Sequence, residues 1–146
     1  MRIYLDNCCL QRPLDDQTQP RIRVETEAVL AILAAVEIGD IILLSSEALE
    51  YEVGHTPDEK RRTEASAILS LAKERLEIIG EVEELAGSLE SRGIGAMDAV
   101  HLALASTAKA DFFATCDDKL LRKASAVTGL GCRAISILGL VSEVLG

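Results

Sequence analysis

The sequence has few aromatic residues and no tryptophan: aromatic side chains make up 3% of its 146 residues, although 49% are hydrophobic. A core of Leu, Ile, Val and Ala favours helices packed on a buried sheet over an all-β sandwich. The chain also lacks an apolar run near the roughly 20 residues that span a bilayer, and no leader-like segment precedes its first strand-like run. We therefore expect a soluble, cytoplasmic protein with no membrane partner, forming a single domain over residues 1–146.

Basic residues are too few to hold nucleic acid by bulk charge, since the net charge is −9. A nuclease whose acids carry metal ions stays compatible with this charge, because bound cations invert the local field. Basic contacts would then come from local groups, for which exposed helix faces are the plainer interpretation. These groups are Arg12, Arg21, Arg23, Lys119, Arg122 and Lys123.

The cysteines lack the C-x-x-C spacing that is typical of zinc and redox sites. We therefore expect reduced, partly buried thiols at Cys8, Cys9, Cys116 and Cys132. Cys8, Cys9 and Cys116 follow predicted strands. We therefore expect them to lie near a site at the strand ends but to take no part in its chemistry.

Short apolar runs alternate with helical patterns along the whole chain. Strands are predicted at 3–5, 40–44, 76–79, 112–115 and 132–135, and a polar loop at 11–20. Helices are predicted at 21–38, 47–54, 82–93, 96–108, 116–126 and 139–145, with another opened by Thr56-Pro57. This alternation predicts an α/β fold, a three-layer α/β/α sandwich around a parallel sheet of about five strands.

Acidic residues follow several of these strands. Because the ends of parallel strands share one edge of a sheet, acids from separate segments can converge there. Grouped carboxylates need a cation, and oxygen ligands without His or Cys favour Mg²⁺ or Mn²⁺. Such a site is suited to phosphoryl transfer by a metal-activated water. The acids are Asp6, then Glu47, Glu50 and Glu52, then Asp98, and finally Asp117 and Asp118.

Asp98 stands out because it is the only acid in a helix that is otherwise apolar. The helix dipole favours an acid in the first turn, which is the plain alternative to a functional role. We expect His101, one turn on, to be a hydrogen-bonded structural histidine.

Local patterns separate structural from functional roles less clearly for the remaining acids. If Thr115 caps the helix after the fourth strand with Asp118 as its partner, Asp117 is free to face the site. Glu50 and Glu52 flank the buried face of their helix on opposite sides, so helical periodicity does not choose between them.

Four motifs, in order, resemble the PIN-domain family along nearly the whole chain. They are Ile3-Tyr4-Leu5-Asp6, SEALEYEV at 46–53, GAMDAVHLALA at 95–105 and FFATCDDK at 112–119. The family's aspartates fall on Asp6, Asp98 and Asp117, Glu52 fits its second acid, and Thr115 matches its hydroxyl residue. The family's usual Thr-Asn is replaced by Asn7-Cys8, and we expect Cys8 not to supply that Asn's hydrogen bonds to the first acid.

The resemblance implies a metal-dependent ribonuclease. Asp6, Asp98 and Asp117, with Glu52, would hold one or two Mg²⁺ (or Mn²⁺) ions, and a bound water would attack an RNA phosphodiester. Thr115 and Arg12 are the candidate substrate-binding residues. Such domains are often the toxin half of a VapC-type toxin–antitoxin pair and are commonly dimeric, so an antitoxin partner and a homodimer are expected.

Three alternatives compete with this interpretation. A haloacid-dehalogenase-like phosphatase needs a second acid where this chain has Cys8, and a receiver-like phosphoacceptor needs an early acid pair and a late Lys that it lacks. The third is an interaction module that keeps the fold without catalysis.

Overall fold

A five-stranded, fully parallel sheet forms the centre of the molecule in the computed structural model, which describes residues 1–146. The strands are β1 (Arg2–Leu5), β2 (Ile42–Ser46), β3 (Glu74–Leu76), β4 (Phe112–Thr115) and β5 (Arg133–Ser136), in the spatial order β3-β2-β1-β4-β5. Ile3 aligns with Leu43 on one side and with Phe112 on the other. The central strands are buried on both faces, which explains their continuous apolar runs.

Eight helices and one short 3-10 turn (Arg12–Leu14) connect and cover the strands. The helices are α1 (Asn7–Gln11), α2 (Pro20–Glu37), α3 (Glu47–Gly54), α4 (Glu59–Leu69), α5 (Gly80–Ser91), α6 (Ala96–Thr107), α7 (Asp118–Ser125) and α8 (Ile137–Leu145). One group pairs α5 with α6 and α3 with α4, and the other packs α2 against α8. The predicted three-layer α/β/α sandwich is confirmed. No helix has the length and apolarity that a membrane crossing requires.

Several predicted boundaries were wrong. The loop predicted at 11–20 contains the 3-10 turn, and α1, which precedes it, was not predicted. The fourth helix begins after Asp58, whose side chain accepts the Arg61 amide, and not at Pro57. The third strand lies at Glu74–Leu76, earlier than the apolar run that suggested it. Both Gly39 and Gly93 follow helices with positive φ, as the predicted helix ends required.

The strand order fixes where the acids meet. The chain leaves β1 toward β2 and β3 and later returns to add β4 on the other side, so the order reverses between β1 and β4. Crevices at such switch points, beyond the carboxyl ends of the strands, are where open α/β sheets bind ligands. Asp6 directly follows β1, and Cys116 and Asp117 directly follow β4.

Candidate active site

Asp6 is the most buried of the candidate acids, with 6% of its surface exposed. It caps α1 by accepting the Asn7 amide on Oδ1 at 2.8 Å, and the Thr115 hydroxyl donates to Oδ2 at 2.9 Å. Burial, followed by the neighbouring Cys8 thiol, raises the pKa of Asp6 to about 7, against the lowering effects of His101 and Thr115. A buried carboxyl of this kind favours its neutral form unless a cation stabilises the charge.

Cys8 contacts Asp6, although the thiol was not expected to replace the hydrogen bonds of the family's asparagine. Its Sγ lies 3.4 Å from Asp6 Oδ2 and also 3.4 Å from the Thr115 hydroxyl. A thiol is a weak donor, so the Thr115 hydroxyl and the Asn7 amide supply the stronger bonds that orient this carboxyl.

Asp98 lies in the first turn of α6, as predicted, and is half-buried. Its pKa is raised to about 6, first by burial and then by the nearby charges of Asp6, Asp117 and Glu52, against the lowering effect of His101. The helix dipole alone would have lowered this pKa. Asp98 therefore lies in the shared negative field of three other acids, each from a different segment of the chain.

The expected division between Asp117 and Asp118 was wrong. Asp117, not Thr115, caps α7, and its Oδ1 accepts the amides of Lys119 and Leu120 at 2.9 and 3.1 Å. Thr115 is the last residue of β4, and its oxygen is already engaged, because it accepts the Asp117 amide and donates to Asp6. Asp118 points away to an exposed ion pair with Arg21 at 2.8 Å. Asp117 keeps Oδ2 outside the cap and still faces Asp98.

Thr115 was expected to contact substrate, but its hydroxyl lies in the interior. Only 1% of the residue is exposed. Its two bonds join Asp117 to Asp6, so Thr115 positions the acids and has no hydroxyl left for a ligand.

Glu52 and Glu50 have different partners. Glu52 Oε1 lies 2.8 Å from His101 Nε2, whereas Glu50 forms an exposed pair with Arg75 at 2.9 Å. The contact with His101 turns Glu52 toward α6 and Asp98.

A buried chain of hydrogen bonds holds His101 in place. Ser46 Oγ accepts the Leu49 amide at 3.0 Å and lies 2.7 Å from the Tyr4 hydroxyl, which lies 2.6 Å from His101 Nδ1. One arrangement satisfies every group: Ser46 donates to Tyr4, Tyr4 donates to Nδ1, and Nε2–H donates to Glu52. The structural role predicted for His101 is thus confirmed. The sequence did not predict that Tyr4 orients His101, because a tyrosine within an apolar strand indicates only a position in the core.

Arg12 does not lie free beside the acids. It forms ion pairs with Asp15 at 3.0 Å and with the buried Glu25 at 3.3 Å. Arg21 contacts the same Glu25 at 3.4 Å and also pairs with Asp118. The expected substrate contact of Arg12 is replaced by this internal network, which ties the start of α7 to α2.

Lysines stand closer to the acids. A cleft of about 340 Å³ is lined by Asp98, Asp117, Lys119 and Lys123, together with Gly93, Ile94, Gly95 and Leu120. Lys123 donates to the Gly93 carbonyl at 2.6 Å. Lys119 is exposed in the same cleft and is the basic side chain best placed for an anionic ligand there.

The donor set at this edge consists of hard oxygens. No three carboxylate oxygens come within 4.8 Å of one another, so the acids do not form a closed cage. Mg²⁺ is held in proteins through one or two carboxylates while it keeps several waters, and an open arrangement suits this mode. Burial is the main cause of the raised pKa values of Asp6 and Asp98, and neighbouring carboxylates add to it at Asp98; a bound cation would offset both effects.

Comparison with known proteins identifies the fold and the family. The fold is similar to VapBC2 from Rickettsia felis, solved with a DNA fragment of its promoter, at a TM-score of 0.59 and 14% identity, covering 93% of this chain and 98% of that one. DNA-bound VapBC from Salmonella typhimurium is similar at a TM-score of 0.59 and 13% identity, covering 94% and 98%. No curated protein sequence matches the chain. A sequence model of the PIN domain matches residues 3–126, and the chain therefore belongs to the PIN-domain family.

Proposed function

We propose that this protein is a metal-dependent endoribonuclease that hydrolyses RNA phosphodiester bonds, with Asp6, Glu52, Asp98 and Asp117 as its catalytic acids. The observation that carries the proposal is the field at Asp98, whose pKa is raised to about 6 partly by the other three carboxylates. Acids that raise each other's pKa in a cleft are typical of functional sites.

The expected cofactor is Mg²⁺ or Mn²⁺, held by Asp6, Asp98 and Asp117. When bound, such an ion activates water and offsets charge on the phosphate. The chain's own residues prepare the carboxylates: Thr115 and the Asn7 amide fix Asp6, and the α7 cap fixes one oxygen of Asp117.

Glu52 is positioned by His101 and leaves Oε2 for the water or the metal shell, while Lys119 faces the phosphate. With a net charge of −9, the protein would rely on the cation and this lysine to attract RNA.

The family assignment counts against the phosphatase and receiver alternatives. A folded protein that cleaves no RNA would instead favour the non-catalytic interaction module.

Partners follow from the structural neighbours, which are VapBC complexes. We propose that this chain is a VapC-type toxin that forms a homodimer and is held silent by an antitoxin. Exposed apolar side chains on α2, Val24 at 48% and Leu30 at 53%, would suit a protein partner. Mass measurement in solution, alone and with a co-expressed neighbouring gene product, tests both partners.

The decisive experiment is cleavage of a labelled single-stranded RNA pool in EDTA, Mg²⁺ and Mn²⁺. We expect cutting only with metal, and its loss in Asp98→Asn without loss of folding. Asp118→Asn is the matched control, because Asp118 lies in the same acidic stretch yet faces Arg21, and it should cut normally. A folded wild-type protein that never cuts, or an Asp98→Asn variant that cuts at the wild-type rate, would reject the proposal.

A further inference from the structure

Three of the four cysteines meet beside the acidic site, although the sequence spacing gave no reason to expect it. The Sγ atoms of Cys8, Cys9 and Cys116 all lie within 4.8 Å of one another. Cys8 and Cys9 come from the first turn of α1, and Cys116 follows β4, more than a hundred residues along the chain. This is the one place in the molecule where three potential metal-ligating atoms are so close.

We propose that Cys8, Cys9 and Cys116 form a second metal site, which binds a soft, thiophilic ion such as Zn²⁺, Cd²⁺ or Cu⁺ and is separate from the carboxylate site.

The sulfur geometry matches such an ion without rearrangement of the backbone. Zn–S bonds of about 2.3 Å at tetrahedral angles place neighbouring sulfurs about 3.8 Å apart. Cys9 Sγ and Cys116 Sγ are 3.7 Å apart. Cys8 Sγ lies within 4.8 Å of both of these sulfurs, so that all three face a common centre. Thiolate sulfur selects Zn²⁺ and Cu⁺ over the hard ions that suit carboxylates.

The surroundings of the sulfurs are also those of a metal site. The Cys116 amide donates to Cys8 Sγ at 3.2 Å, and the Thr115 hydroxyl lies 3.4 Å from the same sulfur. Outer groups that donate to the ligands and offset their charge are a regular part of such sites. Three thiolates on a divalent ion would carry one net negative charge, and the Cys116 amide is the donor placed to stabilise it.

Only one of the three cysteines has appreciable exposure to solvent. Cys9 is fully buried and Cys116 is 6% exposed, whereas Cys8 is half-buried and reaches solvent. An ion would enter past Cys8, where a water could complete its coordination. On binding, three S–H bonds are replaced by three S–metal bonds, and the protons pass to the buffer.

The test is a Cd²⁺ titration of the full-length protein in a non-thiol reductant and without added Mg²⁺. Thiolate-to-Cd²⁺ charge transfer absorbs in the ultraviolet, and carboxylate binding gives no such band. We expect one equivalent to saturate the band, and one equivalent of Zn²⁺ to compete with it. Loss of one thiolate in Cys8→Ser or Cys116→Ser should weaken binding at least tenfold, since even loss of an outer partner costs about 10–100-fold.

Cys132→Ser is the matched control. Cys132 is half-buried like Cys8 but lies outside the cluster, so its loss should leave the band unchanged. Circular dichroism checks that each variant folds, and Cys8→Ser, at the exposed corner, carries the test if Cys116→Ser unfolds. Absence of the band in the wild type, or a band equally strong in both cluster variants, would overturn the proposal. Because the readout is spectroscopic, it stands apart from whether the protein cleaves RNA.

Discussion

Ionisation of Asp6 should destabilise the metal-free protein, and this effect can be measured directly. The carboxyl is buried, and its pKa of about 7 in the fold compares with an ordinary value of 3.8. At pH values between these two pKa values, the Asp6 carboxyl is protonated in the folded protein and ionised in the unfolded chain. The free energy of unfolding therefore falls as the pH rises from about 4 to about 7.

The size of the effect follows from linkage. For one group with these two pKa values, the free energy of unfolding drops by roughly 2 to 3 kcal/mol between about pH 5 and about pH 7.5. Asp6→Asn keeps the side-chain shape and the acceptor for the Asn7 amide, but it does not titrate. The variant should therefore lack this drop and be more stable than the wild type at about pH 7.5.

Urea denaturation in EDTA, followed by circular dichroism across this pH range, gives the measurement. Asp118→Asn serves as the control, because the ion pair with Arg21 lowers the pKa of Asp118. The Asp118–Arg21 ion pair stabilises the fold at pH values above the ordinary pKa of Asp118, and this stabilisation is lost only at pH values below the measured range. The control should therefore follow the wild type. If the wild-type and Asp6→Asn curves run parallel across the range, our account of the buried carboxyl is refuted.

Three further outcomes are expected. Mg²⁺ should raise the urea midpoint of the wild type more at about pH 7.5 than at about pH 5, since the proposed site binds the ion through ionised carboxylates. The ion should not raise the midpoint of Asp6→Asn. Glu52→Gln should reduce RNA cleavage far more than Glu50→Gln in the same assay, because Glu50 only pairs with Arg75 at the surface; equal losses would remove Glu52 from the site. Glu25→Gln should lower the free energy of unfolding by about 3 kcal/mol, since it leaves Arg12 without its buried partner, and an unchanged urea midpoint would contradict this.

The convergence of the acids could be predicted because it depends only on topology. Asp6, Asp98 and Asp117 each sit at the end of a strand or the start of a helix, and a parallel sheet brings such positions to one edge. The sequence pattern of alternating strands and helices was enough to establish that sheet. No side-chain contact had to be known.

Choices between neighbouring acids could not be made in the same way. Glu50 and Glu52 both flank Leu49, and only the position of His101, 49 residues after Glu52, separates them. The capping pattern at Thr115 failed for a similar reason, because its hydroxyl is engaged by Asp6, 109 residues earlier. Helix α1 was missed because its five residues are fewer than a periodic pattern needs.

Cys8 connects the two proposed metal sites. Where the family usually has an asparagine, this chain places a thiol that gives Asp6 only a weak hydrogen bond at 3.4 Å. The same thiol supplies the third sulfur beside Cys9 and Cys116. Without Cys8, the cluster would contain only two sulfurs. One side chain thus weakens the support of a hard oxygen ligand and completes a soft sulfur set a few ångströms away. A thiophilic ion bound there would place positive charge next to Asp6 and compete electrostatically with Mg²⁺ for the same edge of the sheet.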